Sequence, residues 1–192
     1  AAAKAGEQGG RFVTGRLRAP IQKPDKVICI GLNYRDHAKE SGMEPPPEPV
    51  VFSKFSSAVV GPEAVVRLPT VATQVDYEAE LVVIVGKRGK NIPRSSAMSH
   101  VAGYMNGNDV SARDWQKNDG QWARAKGSDT FLPIGDESPA PSDFGALTLI
   151  SRVNGKVRQR ASTAELVFPV PVLLAFITRY ITVNQRWGSP KF

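Results

Sequence analysis

The hydrophobic pattern is mostly that of short strands. Val27-Ile28-Cys29-Ile30 is a β-branched run closed by Gly31, which predicts a buried strand feeding a turn. Val50-Val51-Phe52 predicts a second strand, and Asp76 to Val85 a third, opening on alternating carboxylates and ending in the apolar run Leu81-Val82-Val83-Ile84-Val85. Leu147 to Val153 and Lys156 to Arg160 flank Asn154-Gly155, the strongest short-range hairpin signal in the chain. Helical spacing is scarcer. Asn33 can cap a brief helix from Tyr34 to about Ser41 that Gly42 ends, and Pro171 to Tyr180 carries an apolar stripe of Leu173, Leu174, Phe176 and Ile177. Ser162-Thr163-Ala164-Glu165 resembles a capping box, but Pro169 and Pro171 would break the helix it announced.

Between these elements, Pro45, Pro46, Pro47 and Pro49 fix an extended linker, a small helix or strand spans Met98 to Met105, and Asn106-Gly107-Asn108-Asp109 reads as a loop. Strands outnumber helices, so the expected class is mainly β, of the α+β type. A length of 192 residues suits one compact domain over 17–192, with 1–16 as a flexible arm outside the fold. The most apolar run, Val167 to Ile177, is cut by prolines and falls well short of the roughly 20 residues that span a bilayer. No membrane partner is expected.

Composition narrows the chemistry. Cys29 is the single cysteine and there are two histidines, too few for a disulfide framework or a structural zinc site. The chain carries 25 Lys and Arg against 18 Asp and Glu, a net +7, but the basic residues are scattered and lack interleaved aromatics. Nucleic acid is therefore not an expected partner.

The carboxylates are the sharper signal. Asp76, Glu78 and Glu80 stand two apart on a predicted strand and so leave one face. Such a cluster next to a buried run needs positive charge. A hard cation such as Mg²⁺, Mn²⁺ or Ca²⁺ would supply it, and so would Lys or Arg across the sheet on an exposed face. Asp109 adds a freely aimed carboxylate, or else closes an Asx-turn with an Arg113 to Asp114 ion pair. His37 and Glu40 are three apart on the predicted helix, close enough for the carboxylate to hold the imidazole as a general base. His100 has no comparable neighbour and reads as structural. Lys54 and Lys126 could each hold a substrate carboxylate or enolate oxygen, or cover surface.

Taken in order, Gly31-Leu32-Asn33-Tyr34-Arg35-Asp36-His37-Ala38-Lys39-Glu40, Phe52-Ser53-Lys54, Asp76-Tyr77-Glu78-Ala79-Glu80-Leu81, Gly103 to Asp114 and Lys126-Gly127-Ser128-Asp129-Thr130-Phe131 closely resemble the fumarylacetoacetate hydrolase family, in its domain-containing branch. The resemblance runs from about Leu17 to Val183. It implies a mixed β-sandwich roll, a homodimer, and a Mg²⁺ (or Mn²⁺, Ca²⁺) ion held by Glu78, Glu80 and Asp109. Asp76 then stands beside the ligand set rather than in it.

The resemblance further implies a water-activating dyad of His37 and Glu40 on a mobile lid, with Lys126 as the third catalytic residue. Tyr34, Arg113 and Gln116 would face the substrate. The implied activity is metal-dependent hydrolysis of a C–C bond in an acylpyruvate or fumarylpyruvate-like 2-oxo acid, through an enolate. The alternatives are an oxaloacetate-type decarboxylase, a dienoate isomerase or hydratase, or an inactive member kept as an interaction protein. Cytosol and mitochondrion both suit one free cysteine. Against the family pattern, Ser128 replaces a Phe, Asp136 a Pro, and the chain stops after Phe192, where relatives continue with further strands, so the roll is expected to be incomplete at its C-terminus.

Overall fold

The computed structural model describes residues 18–40, 42–135, 138–139 and 147–184. The expected arm over 1–16, Asp136 and the segment after Asn184 lie outside the described residues. In chain order the elements are β1 (Val27–Gly31), α1 (Arg35–Glu40), β2 (Val50–Lys54), β3 (Val59–Val60), β4 (Val75–Asp76), β5 (Ala79–Val85), β6 (Val101–Asn108) and β7 (Ser111–Ala112). They continue with α2 (Arg113–Asn118), α3 (Ala123–Gly127), β8 (Leu132–Pro133), β9 (Ser138–Pro139), β10 (Thr148–Val153), β11 (Lys156–Ser162) and α4 (Val170–Ile177). The fold is strand-rich with a few short helices, as expected.

The strands form small sheets. β5, β6 and β9 make a three-stranded antiparallel sheet, while β1–β2, β4–β7 and β10–β11 are antiparallel pairs and β3–β8 a parallel one. Two apolar clusters hold these pieces. One gathers Ile84, Met105, Val110, Phe131, Leu132 and Ile134; the other packs Ile92 and Ala97 against Val170, Leu174 and Ile177 of α4. Asn154 and Gly155 both take positive φ, +50° and +77°, so the turn between β10 and β11 twists with its strands as the Asn-Gly pair predicts. α4 starts at Val170 rather than Pro171 and stops at Thr178, whose hydroxyl bonds back to the Leu174 carbonyl at 2.7 Å.

Three local expectations are corrected. The strand expected from Asp76 to Val85 is broken: β4 ends at Asp76 and pairs with β7, whereas β5 starts at Ala79 and pairs with β6. Asn33 does not cap α1. Its buried side chain bridges to the Phe168 main chain instead, accepting from the amide at 2.8 Å and donating to the carbonyl at 3.1 Å. Asn106 to Asn108 belong to β6, so the carboxylate of Asp109 leaves the end of a strand rather than a free loop. The capping-box motif starts no helix, as its prolines lead one to expect: Ser162 accepts from the Ala164 amide at 3.2 Å, but only one 3-10 turn over Thr163–Glu165 follows.

The end of α1 follows local chemistry. Gly42 has φ +64°, its amide bonds to the Lys39 carbonyl and the Met43 amide to that of Ala38, a helix stop that favours glycine. The entry to α1 is pinned by a bridge from Tyr34 to Leu166. That holds the segment bearing Tyr34 and His37 against the stretch leading into α4.

Candidate functional site

A cavity of about 1150 Å³ opens between β1, β2, β5 and α4. Its apolar wall includes Leu81, Val83, Leu173 and Leu174, and its polar wall carries Tyr34, His37, Glu78, Glu80, Asp109, Arg113, Gln116 and Lys126. Eight of the nine site residues that the resemblance implies therefore share one chamber. Glu40, on the exposed side of α1, is not part of its wall, and no hydrogen bond joins it to His37 among the described residues.

The three motif carboxylates arrive from separate pieces of backbone. Glu78 lies in the break between β4 and β5, where its amide bonds to the Asn108 side chain at 3.1 Å and its carbonyl takes the Asp109 amide at 2.9 Å. These two bonds bring Glu78 beside Asp109. Glu80 follows on β5, opposite Gly107 of β6. Asp76, 46% exposed on its side chain, pairs with Arg113 at 3.0 Å and shares that residue's Nη2 with Glu78.

Three cations answer these acids. Lys126, on α3 and buried, donates to Glu78 at 2.6 Å and to Asp109 at 3.1 Å. Arg113 bonds to Glu78 at 2.6 Å. Lys54 is buried under Asp109, 2.6 Å from its Oδ1, and donates to the carbonyls of Val110 at 3.1 Å, Phe131 at 3.0 Å and Lys126. An ammonium has three N–H groups, and three carbonyls take them, so its attraction to Asp109 is one of charge. The pairing of Arg113 with Asp114 weighed from sequence does not form. Asp114 instead accepts from the amide and hydroxyl of Thr73, both at 2.9 Å.

One acid is left over. Lys54, Lys126 and Arg113 face Asp76, Glu78, Glu80 and Asp109, three positive charges against four negative ones. No hydrogen-bond or ion-pair partner reaches Glu80 among the described residues. Burial, then the neighbouring Glu78 and Asp109 charges, push its carboxyl up to about 8. Lys126 and Arg113 hold Glu78 below the usual carboxylate range, against the burial that opposes them. Desolvation raises the Tyr34 phenol, whose buried hydroxyl has no hydrogen-bond partner, and lifts the Cys29 thiol in the cavity wall to about 12.

The donor chemistry suits a hard divalent ion. Glu78, Glu80 and Asp109 offer only oxygen donors, in one wall with a carboxylate in excess, which a cation would balance. They are not drawn together as a ready cage. Among the described residues no three His, Cys, Asp or Glu side chains converge for a metal, because Lys126 Nζ stands between Glu78 and Asp109. Sequence reasoning missed the depth of Lys54 and the place of Cys29 in the wall. Lys54 shares a strand face with Phe52, but nothing local shows that three distant carbonyls meet there. His100 bonds to the Lys87 carbonyl at 3.1 Å, a structural contact.

Residues 26–185 match the family model described as fumarylacetoacetate (FAA) hydrolase C-terminal. The chain is 45% identical over 173 residues to "Oxaloacetate tautomerase fahd2, mitochondrial" of Xenopus laevis, covering 88% of this chain and 54% of that protein. It is 45% identical over 169 residues to the human "Oxaloacetate tautomerase FAHD2A, mitochondrial", covering 85% and 54%. It thus spans about half the length of these curated relatives. Among solved structures, 5-carboxymethyl-2-hydroxymuconate delta-isomerase from Mycobacterium smegmatis superposes with a TM-score of 0.81 at 39% identity, covering 94% of this chain and 76% of that one. The 2-hydroxyhepta-2,4-diene-1,7-dioate isomerase from Mycobacterium marinum gives 0.80 at 37%, covering 96% and 72%. On the match to the family model and the identity across most of its length, the chain belongs to the fumarylacetoacetate hydrolase family.

Proposed function

We propose that this chain is the catalytic part of a mitochondrial enzyme that interconverts the keto and enol forms of an oxaloacetate-like 2-oxo acid, with Mg²⁺ (or Mn²⁺, Ca²⁺) held by Glu78, Glu80 and Asp109. The observation that supports it most is the unpaired Glu80 beside two carboxylates that Lys126 and Arg113 pair, all in the wall of one chamber. The names of the curated relatives point the same way for reaction and compartment. When bound, the ion supplies positive charge that favours the enolate.

The chain's own groups do the rest. Lys126 and Arg113 hold the substrate's carboxylate and enolate oxygens, Gln116 and Tyr34 add hydrogen bonds, and the apolar wall excludes water. His37 moves the proton at the carbon next to the keto group. Glu40, one turn on in α1, orients His37 once the two exposed side chains turn toward each other. The working unit is a homodimer.

A second reading keeps the same groups and makes His37 the base for water, so that a C–C bond of an acylpyruvate is hydrolysed. The long apolar wall favours it, since Leu81, Val83, Leu173 and Leu174 suit an acyl tail that oxaloacetate lacks. The test follows enol absorbance with oxaloacetate and then with an acylpyruvate, in Mg²⁺ and again in excess chelator. Chelator-sensitive equilibration of oxaloacetate without loss of total 2-oxo acid supports the tautomerase. Consumption of the acylpyruvate supports the hydrolase, loss of oxaloacetate with CO₂ release a decarboxylase, and no turnover of either an inactive member.

A further inference from the structure

Arg113 is held by more of the protein than a substrate-binding arginine requires. Its Nε donates to Asp76 Oδ2 at 3.1 Å, and Nη2 donates both to that same oxygen at 3.0 Å and to Glu78 Oε1 at 2.6 Å. Nη1 donates to Gln116 Oε1 at 2.8 Å. A guanidinium has five N–H groups, so these four bonds leave a single one, on Nη1.

The clamp is itself anchored. The other oxygen of Asp76 accepts from the Tyr77 amide at 2.9 Å, and the Arg113 amide bonds to the Gln74 carbonyl at 2.7 Å. Pairing of β4 with β7 sets Asp76 opposite Ser111, two residues before Arg113. Asp76 ends β4 and Glu78 lies in the break before β5, and both carboxylates meet the guanidinium at Nη2.

We infer that Asp76 is the positioning residue of Arg113: it fixes the Nε–Nη2 edge, so that Arg113 offers an anionic ligand one N–H from Nη1 and not the two-pronged fork of a free arginine. The inference rests on the functional reading above in taking that ligand to be a 2-oxo acid. A single donor recognises one oxygen and leaves the second free for other groups in the wall, such as Lys126. Gln116 is then a second brace on Arg113 as well as a residue of the cavity wall.

The experiment combines a spectroscopic and a binding readout on the intact chain. In ¹⁵N NMR the Arg113 Nε–H peak, identified by its loss in Arg113→Lys, should be protected from water exchange in the wild type. It should broaden or vanish in Asp76→Ala and be partly restored in Asp76→Asn, which keeps an acceptor. Calorimetric titration with oxalate in Mg²⁺ should show about tenfold weaker binding for Asp76→Ala, and the same loss for Arg113→Lys with or without Asp76→Ala, because coupled residues are not additive. A protected peak that survives in Asp76→Ala, or losses that add in the double variant, would overturn the inference. Absence of oxalate binding in the wild type would count against the 2-oxo acid reading, while the Nε–H peak would still decide the clamp.

Discussion

Glu80 is the residue at which the electrostatics of the site are least balanced, and its carboxyl responds to pH in a way that ordinary acids do not. Raised from 4.5 to about 8, it binds its proton more tightly in the folded chain than in the unfolded one. The stabilisation this gives is complete below the unfolded value and is lost as pH rises through the folded one. Metal-free protein in chelator should therefore melt at progressively lower temperature as pH rises from about 5 to about 9. Glu80→Gln should flatten that slope, because an amide does not titrate. On the proposed reading of Glu80 as a metal ligand, Mg²⁺ should restore the melting temperature most at the alkaline end, where Glu80 is ionised. Melting curves across pH, with chelator and with Mg²⁺, check all three, and a slope unchanged in Glu80→Gln would move the effect to another group.

Elements were legible in the sequence where their cause is local. Asn154-Gly155 specifies its hairpin through two residues that tolerate positive φ, and Gly42 stops α1 for the same reason. Illegible features have distant causes. The break at Tyr77 and Glu78 comes from β4 pairing with Ser111 and Ala112, and Asn33 serves Phe168, 135 positions on. The motif carboxylates could be named from their spacing, but that Asp76 and Glu78 would share Arg113 and that Lys126 would stand between Glu78 and Asp109 depends on which segments meet. The local logic of α1 can be tested directly. Gly42→Ala forces a side chain into a left-handed conformation and should cost about 1–2 kcal/mol, mostly as fraying of the last turn of α1. Hydrogen exchange should show faster exchange at Gly42 and Met43, whose amides close that turn, with little change in β5 and β6. Equal acceleration in the β5–β6 sheet would mean that α1 unfolds only with the whole molecule.

At the scale of the whole molecule, Lys54 binds the fold to the site. From the end of β2 it reaches carbonyls 56, 72 and 77 residues away in sequence, at Val110, Lys126 and Phe131, and its charge faces Asp109. One side chain thus joins the strand pair β1–β2, the end of β6, α3 and the approach to β8. Asp109 is kept in place by it while burial works to raise that carboxyl and the lysine's charge works to lower it. Lys54→Met keeps the length and apolar stem but leaves three buried carbonyls without their donor and Asp109 with one cation fewer. Removing one partner of a buried pair typically costs about 3–5 kcal/mol, so urea unfolding should show a loss of that order. Adding Asp109→Asn should recover part of it, because the uncompensated charge is then gone, whereas the orphaned carbonyls remain. A double variant as unstable as the sum of the two single ones would show that Lys54 acts through the carbonyls alone. In that event the carboxylate of Asp109 owes its place to Lys126 and the backbone of Glu78, and the fold and the site are joined through α3 rather than through β2.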